Sequence, residues 1–368
     1  MILRTLLLTG ILQLLQPALF SVSSAQVQEK IRLAVVSNNS MASFSVGYID
    51  EKGTYIIKPS YNDGRPFVND FAGIRAKDKW GYIRRGSTKE IPSQFGMVRD
   101  FSDEGLAAAR TGMAMEVGWG FIDTTGVYII PARYLDVGEF SEGLANTAIQ
   151  ASTLMGKWGY VDKKGKVIIA HEFDMAFPFK NGMAKVNKGG EMNGLWGYID
   201  RTGGVVIPLN YTALGDFKED LAYVNTGKGI RATASAGKWG YMDKTGELVI
   251  PPAFDECRDF SEGLAPVKKS DKMIPAWGFI NPKGDLVIPY KYSDVKGFCE
   301  GVAAFRDKGK WGLMNKKGEI IHEAFFNDLT FPFQFGLIPA KAGPKWGYIN
   351  TKGEWVIKPQ FSKADIFY

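Results

Sequence analysis

The sequence predicts an all-β chain, a tandem array of nine short three-stranded β-repeats. Three observations carry that prediction. A motif returns nine times, as VGYIDEKG, WGYIRRGS, WGFIDTTG, WGYVDKKG, WGYIDRTG, WGYMDKTG, WGFINPKG, WGLMNKKG and WGYINTKG. A second apolar run such as VYIIP, GVVIP or ELVIP follows, and an aromatic residue comes after it. No stretch sustains the 3.6-residue period of an amphipathic helix.

The array is defined by Trp80, Trp119, Trp158, Trp196, Trp239, Trp277, Trp311 and Trp346, with Val46 in the first copy. Successive copies lie 34 to 43 residues apart, a spacing typical of repeat architectures. The chain has 368 residues and is 45% hydrophobic, ample for a core. Length alone would suggest two or three domains, but the repeat replaces that expectation with one domain over 26–368.

Each element of the unit has its own reason. Tyr or Phe and Ile or Val alternate after the Trp-Gly dipeptide, which is strand chemistry. Asp-x-x-Gly, as in Asp162 to Gly165 or Asp200 to Gly203, reads as a hairpin loop. Its Asp accepts backbone N–H groups and its Gly supplies a positive φ. The loop lacks the extra oxygen ligands that calcium demands. Pro59, Pro131, Pro208, Pro251, Pro289 and Pro359 are expected to end the second strand, at a strand end or edge. Phe-x-x-Gly-Leu-Ala, as in FSEGLANT, supplies a third short strand. The Trp is expected to be a buried knob between units, with its Gly neighbour admitting a close strand or ring. The rival reading is a row of exposed tryptophans that stack on sugars.

The first 25 residues read as a signal peptide. Arg4 precedes an apolar run from Leu6 to Val22, and Ser23 and Ala25 provide small residues for cleavage. Gln13, Gln16 and Pro17 interrupt that run, and no later segment is long and apolar enough to span a membrane as a helix.

The repeat phase suggests a whole number of units. The sequence begins its first unit with Leu33-Ala34 and ends after Phe367, where another Leu-Ala strand would start. That phase suits a closed, propeller-like ring whose N-terminal strand completes the last unit. Nine units exceed the usual four to eight blades, and three strands fall short of a four-stranded blade. An open, twisted solenoid is therefore the expected architecture, with the closed ring as the alternative.

The motifs WGYIDRTG, KWGYVD, KWGYMD, Val-Ile-Pro and Phe-Ser-Glu-Gly-Leu-Ala resemble the WG-repeat family, also called KWG repeats. The resemblance spans residues 31 to 368. It implies a bacterial protein, often exported or surface-associated, from a family with few assigned functions. Val46 in place of Trp, Arg84 in place of Asp and the altered Phe331 to Leu337 depart from the pattern.

No catalytic motif appears. His171 and His322 follow the second apolar run of different units and have no ligand spacing around them, so neither metal nor catalysis is expected there. Cys257 and Cys299 occupy different repeat positions and are read as two free thiols. The repeated Glu104, Glu142, Glu262 and Glu300 read as turn acceptors. The net charge of +6 is spread through turns, with no basic block of the kind that binds nucleic acid. Longer insertions occur just before Trp-Gly, at 112–117, 150–155, 189–193 and 227–237. They should project from one edge of the array, where variable function is commonly placed.

The expectation is an exported, non-catalytic binding or scaffold protein, periplasmic or extracellular, with no cofactor and no integral membrane span after cleavage. Its partner would be a protein or an envelope polymer, met along the loop edge. The alternative is a carbohydrate- or cell-wall-binding repeat protein using exposed Trp and Tyr.

Overall fold

The computed structural model describes residues 32–37, 45–87, 90–112, 118–150, 156–190, 194–225, 227, 237–270 and 276–368. Residues 1–25, which the sequence reads as a signal peptide, and most of each insertion lie outside the described residues.

The described strands form nine four-stranded sheets, each an antiparallel meander, arranged as a closed nine-bladed β-propeller. This overturns the expected open solenoid of three-stranded units. Blade 4 shows the pattern: Asp136–Ser141 (strand a), Leu144–Ile149 (b), Lys157–Asp162 (c) and Val167–Phe173 (d). Blades 1 to 9 are numbered by their c strands: Val46–Ile49, Lys79–Arg84, Trp119–Ile122, Lys157–Asp162, Leu195–Asp200, Trp239–Asp243, Ala276–Ile280, Lys310–Asn315 and Lys345–Asn350.

The extra strand is a. In seven blades it is only two residues long, as in Met175–Ala176 or Asp294–Val295, too short to leave a periodic signature. Strand a turns into b through two residues at positive φ, such as Glu262 (54°) and Gly263 (81°) between the paired Ser261 and Leu264. That is the backbone twist a two-residue hairpin requires. Consecutive a strands touch one another: Arg99 of blade 3 donates to Asp136 of blade 4 at 2.7 Å, and Arg258 of blade 7 to Asp294 of blade 8 at 2.8 Å. Strand d pairs only with c. Strand a is therefore innermost and d outermost.

The ring closes through the termini. Lys363–Ala364 supplies strand a of blade 1 and pairs with Ala34–Ser37, its strand b. Ser362 donates its N–H to the Ser37 carbonyl at 3.0 Å, and Leu33 and Tyr368 exchange backbone bonds. Nine blades exceed the usual number, but the repeat count and the interlocking termini decide the matter.

Strand d also corrects the proline reading. Tyr128–Tyr134 runs through Pro131 to the aromatic rather than stopping there. An outermost strand has one side without a partner, so a missing N–H costs it nothing, and proline there discourages edge-to-edge pairing.

The core lies between blades. The aromatic after the Trp-Gly dipeptide stacks on the Phe of the next blade's first segment, as in Tyr160–Phe179 (4.8 Å between centroids), Tyr241–Phe260 (4.8 Å) and Phe279–Phe298 (5.0 Å). Each such pair contributes about 0.5–1.5 kcal/mol beyond its burial. Among the described residues, no helix is long and apolar enough to cross a membrane.

Candidate functional site

The Trp-Gly dipeptide begins strand c and forms a joint within and between blades. Each Trp lies opposite the aromatic that ends strand d, as in Trp158 with Phe173 and Trp277 with Tyr292. The register then slips, and the following Gly sits under the bulged d strand. A Cβ on Gly240 would lie 2.3 Å from the Ile250 carbonyl oxygen, so only glycine fits. Trp119, Trp277 and Trp311 are buried, and Trp80, Trp158, Trp196, Trp239 and Trp346 are half-buried. None forms the exposed stacking row that the sugar-binding alternative calls for. Several carry a cation on one face: the Arg258 guanidinium lies 4.0 Å from the Trp277 ring centroid, and Arg99 lies 4.8 Å from that of Trp119.

The residue after Trp-Gly ties blades together. Tyr160 donates its hydroxyl to the Phe177 carbonyl at 2.8 Å, Tyr198 to Gly215 at 2.7 Å and Tyr348 to Asp365 at 2.8 Å. Burial pushes these phenols far above their ordinary pKa. The repeated Glu is also a clasp. Glu104 accepts from the Gly143 N–H at 2.7 Å, Glu142 from Gly182 at 3.0 Å, and Glu300 from Gly336 at 2.8 Å. Burial would push Glu104 up, but the Lys163 ammonium and the Gly143 N–H outweigh it and hold the carboxyl below its ordinary value.

The Asp-x-x-Gly loops follow the sequence reading. Asp162 Oδ1 accepts from the N–H groups of Lys164 and Lys166, both at 2.9 Å, and Gly165 has φ 76°. Asn281, Asn315 and Asn350 make the same bonds in blades 7 to 9.

The two histidines belong to separate d strands. His171 Nε2 lies 2.9 Å from the Thr147 hydroxyl in blade 4, and burial pushes its pKa down. His322 Nδ1 lies 2.8 Å from the Glu323 carbonyl in blade 8. Both cysteines are free thiols. Burial pushes Cys257 up to about 12, and it also raises Cys299, so neither is poised as a thiolate.

The two faces of the ring differ. One carries every a–b and c–d turn. The other carries the b–c connections, which close in two residues in blades 2, 8 and 9 (Lys77-Asp78, Lys308-Gly309, Gly343-Pro344). Blade 1 instead connects b to c through 38–45, and blades 3 to 7 through 111–118, 150–156, 189–194, 226–238 and 270–275. The base of the longest is clamped: Asn225, fully buried, accepts from the Gly227 N–H at 2.8 Å and donates to the Gly237 carbonyl at 3.2 Å.

The inner wall holds side chains that the repeat pattern did not flag. Where Ser102, Ser141 and Ser261 stand, blades 5 and 6 carry Lys180 and Lys218. Asp216 pairs with Lys185 at 2.8 Å and with Lys180 at 3.5 Å. The clue lay in those departures from the repeat consensus.

The model of the WG-containing repeat matches residues 47–80, 80–112, 119–146, 158–191, 196–228, 239–272, 277–311 and 346–368. No curated protein matches the chain. Among solved structures it is similar to a eukaryotic initiation factor, with a TM-score of 0.60 and 10% identity over 92% of this chain and 98% of that one. It is also similar to AztD of Citrobacter koseri (TM-score 0.42, 11% identity, 92% and 98% covered). Hsv2p of Kluyveromyces lactis matches at a TM-score of 0.38 with 11% identity, over 67% of this chain and 89% of that one. At 10% identity, the likeness to the initiation factor is one of fold alone. The chain belongs to the WG-containing repeat family.

Proposed function

We propose that this WG-repeat propeller is an exported, non-catalytic binding protein, periplasmic or extracellular. It captures a protein or envelope polymer on the face that carries its b–c connections. The observation behind this reading is the asymmetry of that face. Two-residue turns suffice in blades 2, 8 and 9, yet the other six blades, blade 1 and the consecutive blades 3 to 7, depart from them. A closed scaffold tolerates loop extension at small entropic cost, so it can present variable segments from a fixed frame. The Trp, Tyr and Glu side chains of the repeat are engaged in joining blades, which leaves the connections as the variable part.

Replacing 228–236 with a short Gly-Ser link keeps the Asn225 clamp and tests the reading. Binding of envelope extract to the immobilised variant should fall at least tenfold while the unfolding midpoint stays put. Equal binding by both proteins refutes the assignment.

A further inference from the structure

The inner wall of blades 6 to 8 carries a cavity of about 370 Å³ on the side of the a–b turns, away from the b–c connections. Lys218, Arg258, Asp259, Ser261, Lys296 and Cys299 line it, and Phe331 and Pro332 of blade 9 close one end. That volume suits a small molecule rather than a polymer.

The charges are unevenly satisfied. Arg258 is already engaged, with Asp294 at 2.8 Å and its face on Trp277. Ser261 donates to the Phe298 carbonyl at 2.6 Å and Cys299 to Phe333 at 3.2 Å. Among the described residues, Lys218 and Lys296 have no ion-pair partner within 4 Å. Lys296 lies over the Trp311 ring at 5.3 Å and Lys218 is exposed. Asp259 has the opposite deficit: its Oδ1 is buried with no hydrogen-bond partner, burial pushes its carboxyl above the ordinary value, and the Lys218 ammonium acts on it only from beyond ion-pair distance. A buried carboxylate oxygen left unmatched is costly and calls for a donor. Two unpaired ammonium groups and one unmatched acceptor therefore share one cavity wall. An anion alone would leave Asp259 unmet, and a neutral sugar would leave the lysines unmet.

We propose that this cavity binds a small anion that carries hydroxyl groups, its carboxylate or phosphate held by Lys218 and Lys296 and one of its hydroxyls donating to Asp259. The site is separate from the b–c face, so either assignment can fail without the other.

Calorimetric titration of the full chain with glucuronate, glucose 6-phosphate, inorganic phosphate and glucose tests this. At least one hydroxylated anion should bind saturably and more tightly than phosphate or glucose, and the two arms distinguish carboxylate from phosphate. Lys218→Ala and Lys296→Ala should each weaken binding about tenfold, the loss typical of one charge-assisted hydrogen bond. Asp259→Ala, which leaves no acceptor, should reduce the hydroxylated anion to the level of inorganic phosphate. The chain with 228–236 replaced should bind as the parent does. Lys218 is exposed, so its truncation keeps the fold and its result stands on its own. Absence of saturable binding by either hydroxylated anion at millimolar concentration, equal binding of glucose, or parent-like binding by Lys218→Ala would overturn the proposal.

Discussion

The two faces of the ring are built from the same repeat and treat it differently. On the turn face most blades use one set of bonds: an Asp or Asn accepting two N–H groups and a positive-φ Gly in every blade but blade 2, and in blades 3, 4, 6, 7 and 8 a Glu reaching the next blade. The turn glycine also seats against the preceding blade's outer strand, as Gly165 does on Ile130 and Gly53 on Ile357 across the ring closure. On the loop face, b–c connections range from two residues to the 226–238 segment. The turn face couples neighbouring blades and so admits little variation. The b–c connections link strands already paired within one blade, so their length is nearly free.

Substitutions at the joints should have the largest effect. Trp277→Ala removes a buried indole and the surface on which Arg258 rests, and should cost about 3–5 kcal/mol in denaturant unfolding. Gly240→Ala comes next. Its new Cβ meets backbone rather than a movable side chain, so about 1–3 kcal/mol should be lost.

A smaller, pH-dependent effect belongs to the turns. The hydroxyls of Thr125, Thr202 and Thr245, with nearby backbone N–H groups, hold Asp123, Asp200 and Asp243 below the ordinary carboxyl pKa. A depressed pKa contributes stability above the unfolded value, about 3.9, and that stability is lost as pH falls through the folded value. Asn already fills this position in blades 7 to 9. Replacing the three Asp residues with Asn should leave stability at pH 7 nearly unchanged and flatten its decline below pH ~4. A decline as steep as the parent's would mean these turns do not set it. The smallest effect on stability is expected from replacing 228–236. A midpoint shift larger than that of Gly240→Ala would show that the connection supports the blade.

Much of the fold was legible in the sequence, where side chains repeat. Trp-Gly, Asp-x-x-Gly and Phe-Ser-Glu-Gly-Leu-Ala located strands b, c and d and two of the turns. The matched phase of Leu33-Ala34 and Phe367 hinted at closure, which the pairing of Val36 with Ala364 accomplishes. Strand a escaped notice because two paired residues have no period to read. Without it the unit reads as three-stranded, which suits an open array better than a blade. Proline in d signals an edge, but nothing local shows that d is outermost, so in the sequence it reads as a terminator. The inner-wall lysines are half legible: Lys180 and Lys218 break the Ser of the repeat, but only the folded ring places their segments side by side.

The central claim, that variation on the b–c face carries binding, is tested most directly by hydrogen exchange on the chain with and without a saturating envelope fraction that it retains. The account predicts slowed exchange in 111–118, 150–156, 189–194, 226–238 and 270–275, with the c–d turns unchanged. Protection confined to the c–d turns such as Asp162 to Gly165, with those connections unaffected, would contradict it.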